Sequence, residues 1–291
     1  MTRWRSLGLH AKALALVCTV MAVTACAEST TSVIHTEKSA FENIVVYEQA
    51  GERCMKFGSV EAPGRQSCYA IDAPQRLIFD YTRMMFGALY LKPDPARIMI
   101  IGLGGGSMPT ALHKVLPRTV IDAVEIDPAV VSVAKTYFHF KPDDTLRVHV
   151  ADGRTFVQQA LKEGRRYDIV MLDAFDENYI PPHLLTREFL QEVKSVLAPG
   201  GVVAANTFTA SRVYDDESTT YADVFGPFYN LRANNRIILA GPSPLPSVDA
   251  LRANAARLEP RLIPLGVDAN ALLARFSSRK DWAATGKVLT D

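Results

Sequence analysis

Residues 98–109 read IMIIGLGGGSMP, an apolar run that breaks into glycines and then resumes as helix-forming sequence. A short apolar, β-branched run that stops at glycine reads as a buried strand whose end turns sharply or lets another group come close. The pattern repeats downstream. RIMIIG, VIDAVEI, LRVHVA, YDIVMLD and VVAANTF are strand-like, with helical stretches near Pro109 to Leu116, Ala129 to Phe138, Arg154 to Glu163 and Arg187 to Leu197. Such alternation predicts a parallel sheet with helices on both faces, a doubly wound α/β architecture. APGG at 198–201 stops the last of these helices, RIILA near 236 adds an edge strand, and the polar sequence after Pro246 adds a covering helix.

The chain upstream follows another rule. FENIVVYEQ, RCMKFG and SCYAID are short β-rich segments punctuated by glycine and proline, which predicts a small antiparallel sheet. PQRLIFDYTRMMFGALYL has apolar residues at helical spacing and predicts one helix with Pro74 in its first turn. AESTTSVIHTEKS is polar and reads as a tether. Before it, Arg3, Arg5 and Lys12 precede an apolar stretch that ends in small residues, the layout of a signal peptide. Val23-Thr24-Ala25-Cys26 resembles a bacterial lipoprotein box, so the expectation is export and a lipid anchor at Cys26, with a cytoplasmic location if the leader reading fails. The apolar stretch is too short for a bilayer span, so that anchor would be the only tie to a membrane. Outside the leader, Cys54 and Cys68 fall in adjacent hairpin strands. Their spacing leaves both a disulfide, in an oxidising compartment, and free thiols open.

A net charge of +1 with no basic stripe argues against nucleic acid as a partner. His113, His139, His149 and His183 form no metal-ligand pattern, so no metal is expected. In a doubly wound sheet the ligand lies beyond the carboxyl ends of the strands. The first end presents Gly102, Gly104, Gly105 and Ser107; the next present Glu125-Ile126-Asp127, Ala151-Asp152-Gly153 and Asp173-Ala174-Phe175-Asp176. Ser107 stands where a dinucleotide fingerprint has its third glycine, which argues against a nicotinamide cofactor. Glu125 is placed to accept from ribose hydroxyls, and Asp152 from an adenine amino group. One such acid alone would read as a helix cap. Their succession describes a site for an adenosine, as in S-adenosylmethionine.

The order GLGGGS, EID at 125–127, DG at 152–153 and DAFD at 173–176 resembles the spermidine synthase family, the polyamine aminopropyltransferases. The resemblance covers Arg97 to Phe208 and extends weakly back to Phe41. It implies a doubly wound, Rossmann-like, S-adenosylmethionine-dependent transferase fold with a small N-terminal antiparallel β-domain. The expected organisation is a leader over 1–26, a tether over 27–40, the β-domain plus helix over 41–92 and the catalytic domain over 93–291. The donor would be decarboxylated S-adenosylmethionine or S-adenosylmethionine, and the partner a small-molecule amine; assembly into a homo-oligomer is left open. Gly102, Gly104, Gly105, Ser107, Glu125, Asp152 and Gly153 would hold the donor, and Gln75 and Tyr81 would contact substrate. Asp173 would orient or deprotonate the attacking amine, with Asp176 as its partner in holding a cation. An ammonium must lose a proton before its lone pair attacks carbon, and paired carboxylates serve both needs.

The departures from that family are specific. Its glycine loop carries an aspartate where this sequence reads Ser107, and its Tyr-His-Glu is Tyr81-Thr82-Arg83 here. An early glutamine aligns with Glu42, and its Pro-x-Gly-Pro is replaced by residues 177–182. Arg83 would suit the carboxylate of intact S-adenosylmethionine. Two alternatives follow: a methyltransferase on the same fold, and an exported nucleoside-binding relative without catalysis.

Overall fold

The computed structural model describes residues 1–2, 30–61, 64–174 and 180–291. The leader with Cys26, and Asp176 with its neighbours Phe175 and Tyr179, lie outside the described residues.

The first sheet is antiparallel, in the order β1 (Ser32–Glu37), β2 (Ile44–Gln49), β3 (Glu52–Phe57), β4 (Ser67–Ala70). Its first strand corrects the tether reading. Ser32 to Glu37 pair with β2 from Glu48 back to Ile44, with an irregularity between Val33 and His35. An edge strand buries little, so its sequence stays polar and resembles a linker. Cys54 and Cys68 sit directly opposite each other on β3 and β4 and are joined by a disulfide.

Residues 74–91 also depart from expectation, since helix forms only in two short pieces, α1 (Asp80–Met85) and α2 (Ala88–Leu91). Pro74 lies in a turn closed by the Arg76 N–H on the Ala73 carbonyl, and the Leu77 N–H reaches across the fold to the carbonyl of Leu265. The guanidinium of Arg83 binds the carbonyls of Leu77 and Ile78 and the carboxylate of Asp80. The long-range bond to Leu265 and the Arg83 side chain take the place of the continuous helical ladder that the apolar periodicity suggested.

The second sheet takes in β5 (Arg97–Ile101), β6 (Val120–Glu125), β7 (Leu146–Val150), β8 (Tyr167–Leu172), β9 (Leu197–Phe208), β10 (Phe228–Arg232) and β11 (Asn235–Ala240). Its order is β10-β11-β9-β8-β5-β6-β7, parallel from β9 to β7 and antiparallel at β11 and β10. The doubly wound expectation therefore holds, except that RIILA is an inner strand and Phe228–Arg232 takes the edge. The helices are α3 (Ser107–Val115), α4 (Pro128–Tyr137), α5 (Gly153–Lys162), α6 (Arg187–Val196), α7 (Tyr214–Phe225), α8 (Val248–Leu262) and α9 (Ala269–Leu273). Alternation along each strand feeds two cores: Ile98 and Ile100 face α3 and α8, while Met99 and Ile101 face α5 and α6. The small sheet docks through Ile44, Val46, Met55 and Tyr69 against Val130, Val133 and Phe138. No described helix is long and apolar enough to cross a membrane.

A buried ion pair lies between β11 and α7. Arg236 on β11 is 0% exposed and donates to Asn230 Oδ1 and Ser218 Oγ, both at 2.8 Å. Its guanidinium carbon stands 4.0 Å from the centre of the Tyr214 ring. Its counter-charge is Glu217 on α7, 3.6 Å away and 1% exposed, whose carboxyl burial pushes up to about 7. Removing one member of such a pair costs about 3–5 kcal/mol, because the other stays desolvated and unpaired. Arg236→Met is expected to lose stability on that scale in urea denaturation at pH 8. The deficit should widen as pH rises past about 7, since the wild-type burial cost of Glu217 levels off there while the variant's keeps growing.

Candidate active site

The sequence order of the parallel strands reverses between β5 and β8, and a cavity of about 740 Å³ opens at their carboxyl ends. Gly102 makes that junction feasible. Its φ is +100°, and a Cβ there would stand 2.2 Å from the carbonyl oxygen of Asp173, closer than any side chain permits. Gly102, Leu103, Gly104 and Ser107 line the cavity, and Ser107 begins α3. Gly105 corrects the expectation: it does not line the cavity, and a Cβ on it would meet Phe138 and the Ser67 hydroxyl at 2.7 Å. It is glycine because β4 and the end of α4 close on the loop from outside.

Glu125 ends β6 and ties the loop down. The Leu103 N–H donates to its Oε2 and the Asp127 N–H to its Oε1, each at 3.0 Å. Burial nevertheless raises its pKa above the ordinary carboxylate value, outweighing those donors. Asp127 caps α4 through the Ala129 N–H at 2.8 Å and accepts from the Ser39 hydroxyl at 2.5 Å. Asp152 caps α5 through the Thr155 N–H at 2.9 Å, and His183 Nε2 lies 3.0 Å from its other oxygen. Burial works to raise Asp152, but the hydrogen bonds from Thr155 and His183 prevail and hold it below its usual value. Gly153 lines the cavity beside it. The cap and the ligand-facing reading of Asp152 are thus the same carboxylate seen from two sides.

Asp173 follows β8, its N–H bonded to the Ile101 carbonyl at 2.8 Å. Burial pushes its carboxyl up to about 7, against the opposing donation of Asn206 Nδ2 to Oδ1 at 2.9 Å. Tyr81 faces the cavity from α1, and burial together with the nearby Asp173 charge lifts its phenol well above the ordinary value, so it stays protonated. The site therefore brings together Gly102, Gly104, Ser107, Glu125, Asp152, Gly153, Asp173 and Tyr81. Gln75 is not among them: it is exposed in the turn at 73–76 and does not line the cavity. Arg83 is likewise absent, spent on the carbonyls that shape 77–80.

Sequence reading missed Asn206 and His183, both of which line the cavity. Asn206 stands near the end of the fifth parallel strand, so the strand-end rule that found the acids would have found it too. Glu52 lies beside Cys54 and Cys68 in a grouping of metal-ligand type, but the two sulfurs are bonded to each other and offer no thiolate.

The described cavity wall carries Glu42, Asp80, Glu125, Asp127, Asp152 and Asp173 against Arg65 and His183. Arg65 is already paired with Glu52. A doubly wound sheet with a nucleoside-sized, acidic cleft at its switch point defines the class shared by spermidine synthases and S-adenosylmethionine-dependent methyltransferases. Within that class, the spermine/spermidine synthase domain matches residues 78–227, and the chain belongs to that family. A polyamine aminopropyltransferase of Vibrio vulnificus is 41% identical over 282 residues, covering 95% of this chain and 94% of its own. Human methyltransferase-like protein 13, solved in complex with SAH, superposes with a TM-score of 0.58 at 28% identity, over 72% of this chain and 97% of that one. A spermidine synthase bound to the transition-state analogue AdoDATO gives 0.64 at 16% identity, over 84% and 88%, a likeness of fold.

Gly102→Ala is expected to force β5 and the Asp173 backbone apart. Strain and overpacking of this kind cost about 1–3 kcal/mol each. A lower melting temperature together with weakened nucleoside binding in calorimetry would be the signature; a variant that melts and binds like wild type would show that the junction yields.

Proposed function

We propose that this protein transfers an aminopropyl group from decarboxylated S-adenosylmethionine to an amine acceptor. The observation that carries the reading is the excess of carboxylates around Asp173, in a cavity whose single described lysine or arginine, Arg65, is already paired. Donor and acceptor are both cationic, so such a wall attracts each of them. The 41% identical aminopropyltransferase supports the same reading.

In this scheme Glu125 and Asp152 hold the nucleoside while Asp173 meets the acceptor. An ammonium group of the acceptor gives a proton to ionised Asp173, and the freed nitrogen attacks the carbon beside the sulfonium. The C–N bond forms as the C–S bond breaks, and the electron pair leaves with sulfur as methylthioadenosine. A carboxyl near 7 is well matched to that exchange at neutral pH. Among the described residues that line the cavity, Arg65 is the one lysine or arginine and is paired with Glu52, which favours an amine tail over the carboxylate of intact S-adenosylmethionine. Methyl transfer is the second reading, favoured by the fold likeness to the SAH-bound human protein. We also propose export with a lipid anchor at Cys26, a reading that the Cys54–Cys68 disulfide supports.

Incubation with each donor and a panel of diamines, read by product mass, separates aminopropyl from methyl transfer. Asp173→Asn should lower turnover by about 10²-fold or more while methylthioadenosine binding stays within threefold; full turnover would remove Asp173 from the mechanism. In the wild type, kcat/KM should fall as pH drops through about 7, because protonated Asp173 cannot accept. Palmitate labelling of wild type but not Cys26→Ala would support the anchor, and labelling of neither would overturn it.

A further inference from the structure

Asp173 is held, among the described residues, by one side chain, and that side chain is itself held. Asn206 is 3% exposed on β9; its Nδ2 donates to Asp173 Oδ1 at 2.9 Å, and its Oδ1 accepts from Asn235 Nδ2 at 3.1 Å. Asn235 opens β11, where Asn235 stands across from Phe208 and Ile237 across from Asn206. The two asparagines are thus diagonal neighbours on one face of an antiparallel pair, within reach of each other.

A carboxamide has a donor end and an acceptor end that differ only by a half-turn. Turned the wrong way, Asn206 would set its carbonyl oxygen against the oxygen of Asp173. An ionised Asp173 oxygen only accepts and so takes the NH2 end of Asn206, and the Asn235 N–H, bound to the Asn206 carbonyl oxygen, holds the amide in that orientation. We infer that Asn206 and Asn235 are positioning residues for the reaction: Asn235 fixes the Asn206 amide, and Asn206 fixes Asp173 by Oδ1, leaving Oδ2 to take the acceptor's proton. This rests on the aminopropyl transfer proposed above. The energetic sense is clear, because an acceptor amine must meet a carboxylate that does not swing about its side-chain bond. The hydrogen bond also favours the ionised form of Asp173. Asp80 and Tyr81 from the α1 side, Glu125, Asp152 and His183 line the same cavity. Of these, Tyr81 is the group whose ionisation the Asp173 charge opposes, and it stays neutral in the working range.

The test uses the full chain with 13C-carboxyl-labelled aspartate, the Asp173 resonance being assigned by its loss in Asp173→Asn. Asn206→Ala should move the Asp173 titration midpoint upward, and Asn235→Ala should move it the same way by less. In aminopropyl-transfer assays the acid limb of the pH profile should follow the midpoint, with kcat reduced about tenfold or more in Asn206→Ala and donor KM within threefold. Asn235→Ala, at a less buried position, serves if Asn206→Ala does not fold. An unmoved midpoint in a folded variant overturns the inference. Wild type that binds nucleoside but transfers nothing would count against the functional reading, while the titration would still decide the role of the two asparagines.

Discussion

The contact on which the site depends is between two backbones. Gly102 and Asp173 end adjacent parallel strands, and the space between them admits no Cβ. That approach fixes the distance between the glycine loop and the Asp173 carboxylate on the cavity wall. It explains why glycine stands at 102 and why the strand order reverses there: the two helices that follow β5 and β8 diverge to opposite faces, leaving a crevice. The glycine loop is then stiffened from several directions, by Glu125 from within and by Ser67 and Phe138 from outside.

The carboxylates around the cavity are not a loose collection of negative charge. Glu125, Asp127 and Asp152 each bind backbone N–H groups at the start of a loop or helix, so each is oriented by the fold before any ligand arrives. Among the described residues, the Asp173 carboxylate is held by a side chain, Asn206, instead. Of these cavity carboxylates, Asp173 is the one that burial pushes up to about 7. The disulfide stands on the roof of this arrangement: Cys68 lines the cavity, and its neighbour Ser67 touches the glycine loop. The covalent tie to β3 holds that roof in register.

The parallel sheet and its strand-end acids were legible because both follow local rules: apolar runs of strand length, a glycine break, and an acid immediately after. What escaped had non-local causes. β1 reads as tether because an edge strand on a small sheet exposes most of its side chains. The 74–91 segment has helical periodicity, yet Leu265 and Arg83 claim its first backbone groups. Gly105 looks like a ligand-facing glycine until Phe138 is seen beneath it, and Gln75 looks like a substrate contact until its turn is seen to face solvent. Asn206 escaped for a chemical reason, since a neutral amide draws no attention in a search for titratable groups.

The reversal of strand order also has a consequence in time. β5, β6 and β7 are successive in the chain and pair through local βαβ turns, whereas β8 must return to the far side of β5 after all of them. Each half of the cleft is built from successive βαβ units, β5 to β7 on one side and β8 to β9 on the other, and the junction of Gly102 with Asp173, where β8 pairs with β5, is the long-range closure, entropically slower to form. A ligand that spanned both halves would bind only the finished fold and would favour it by mass action.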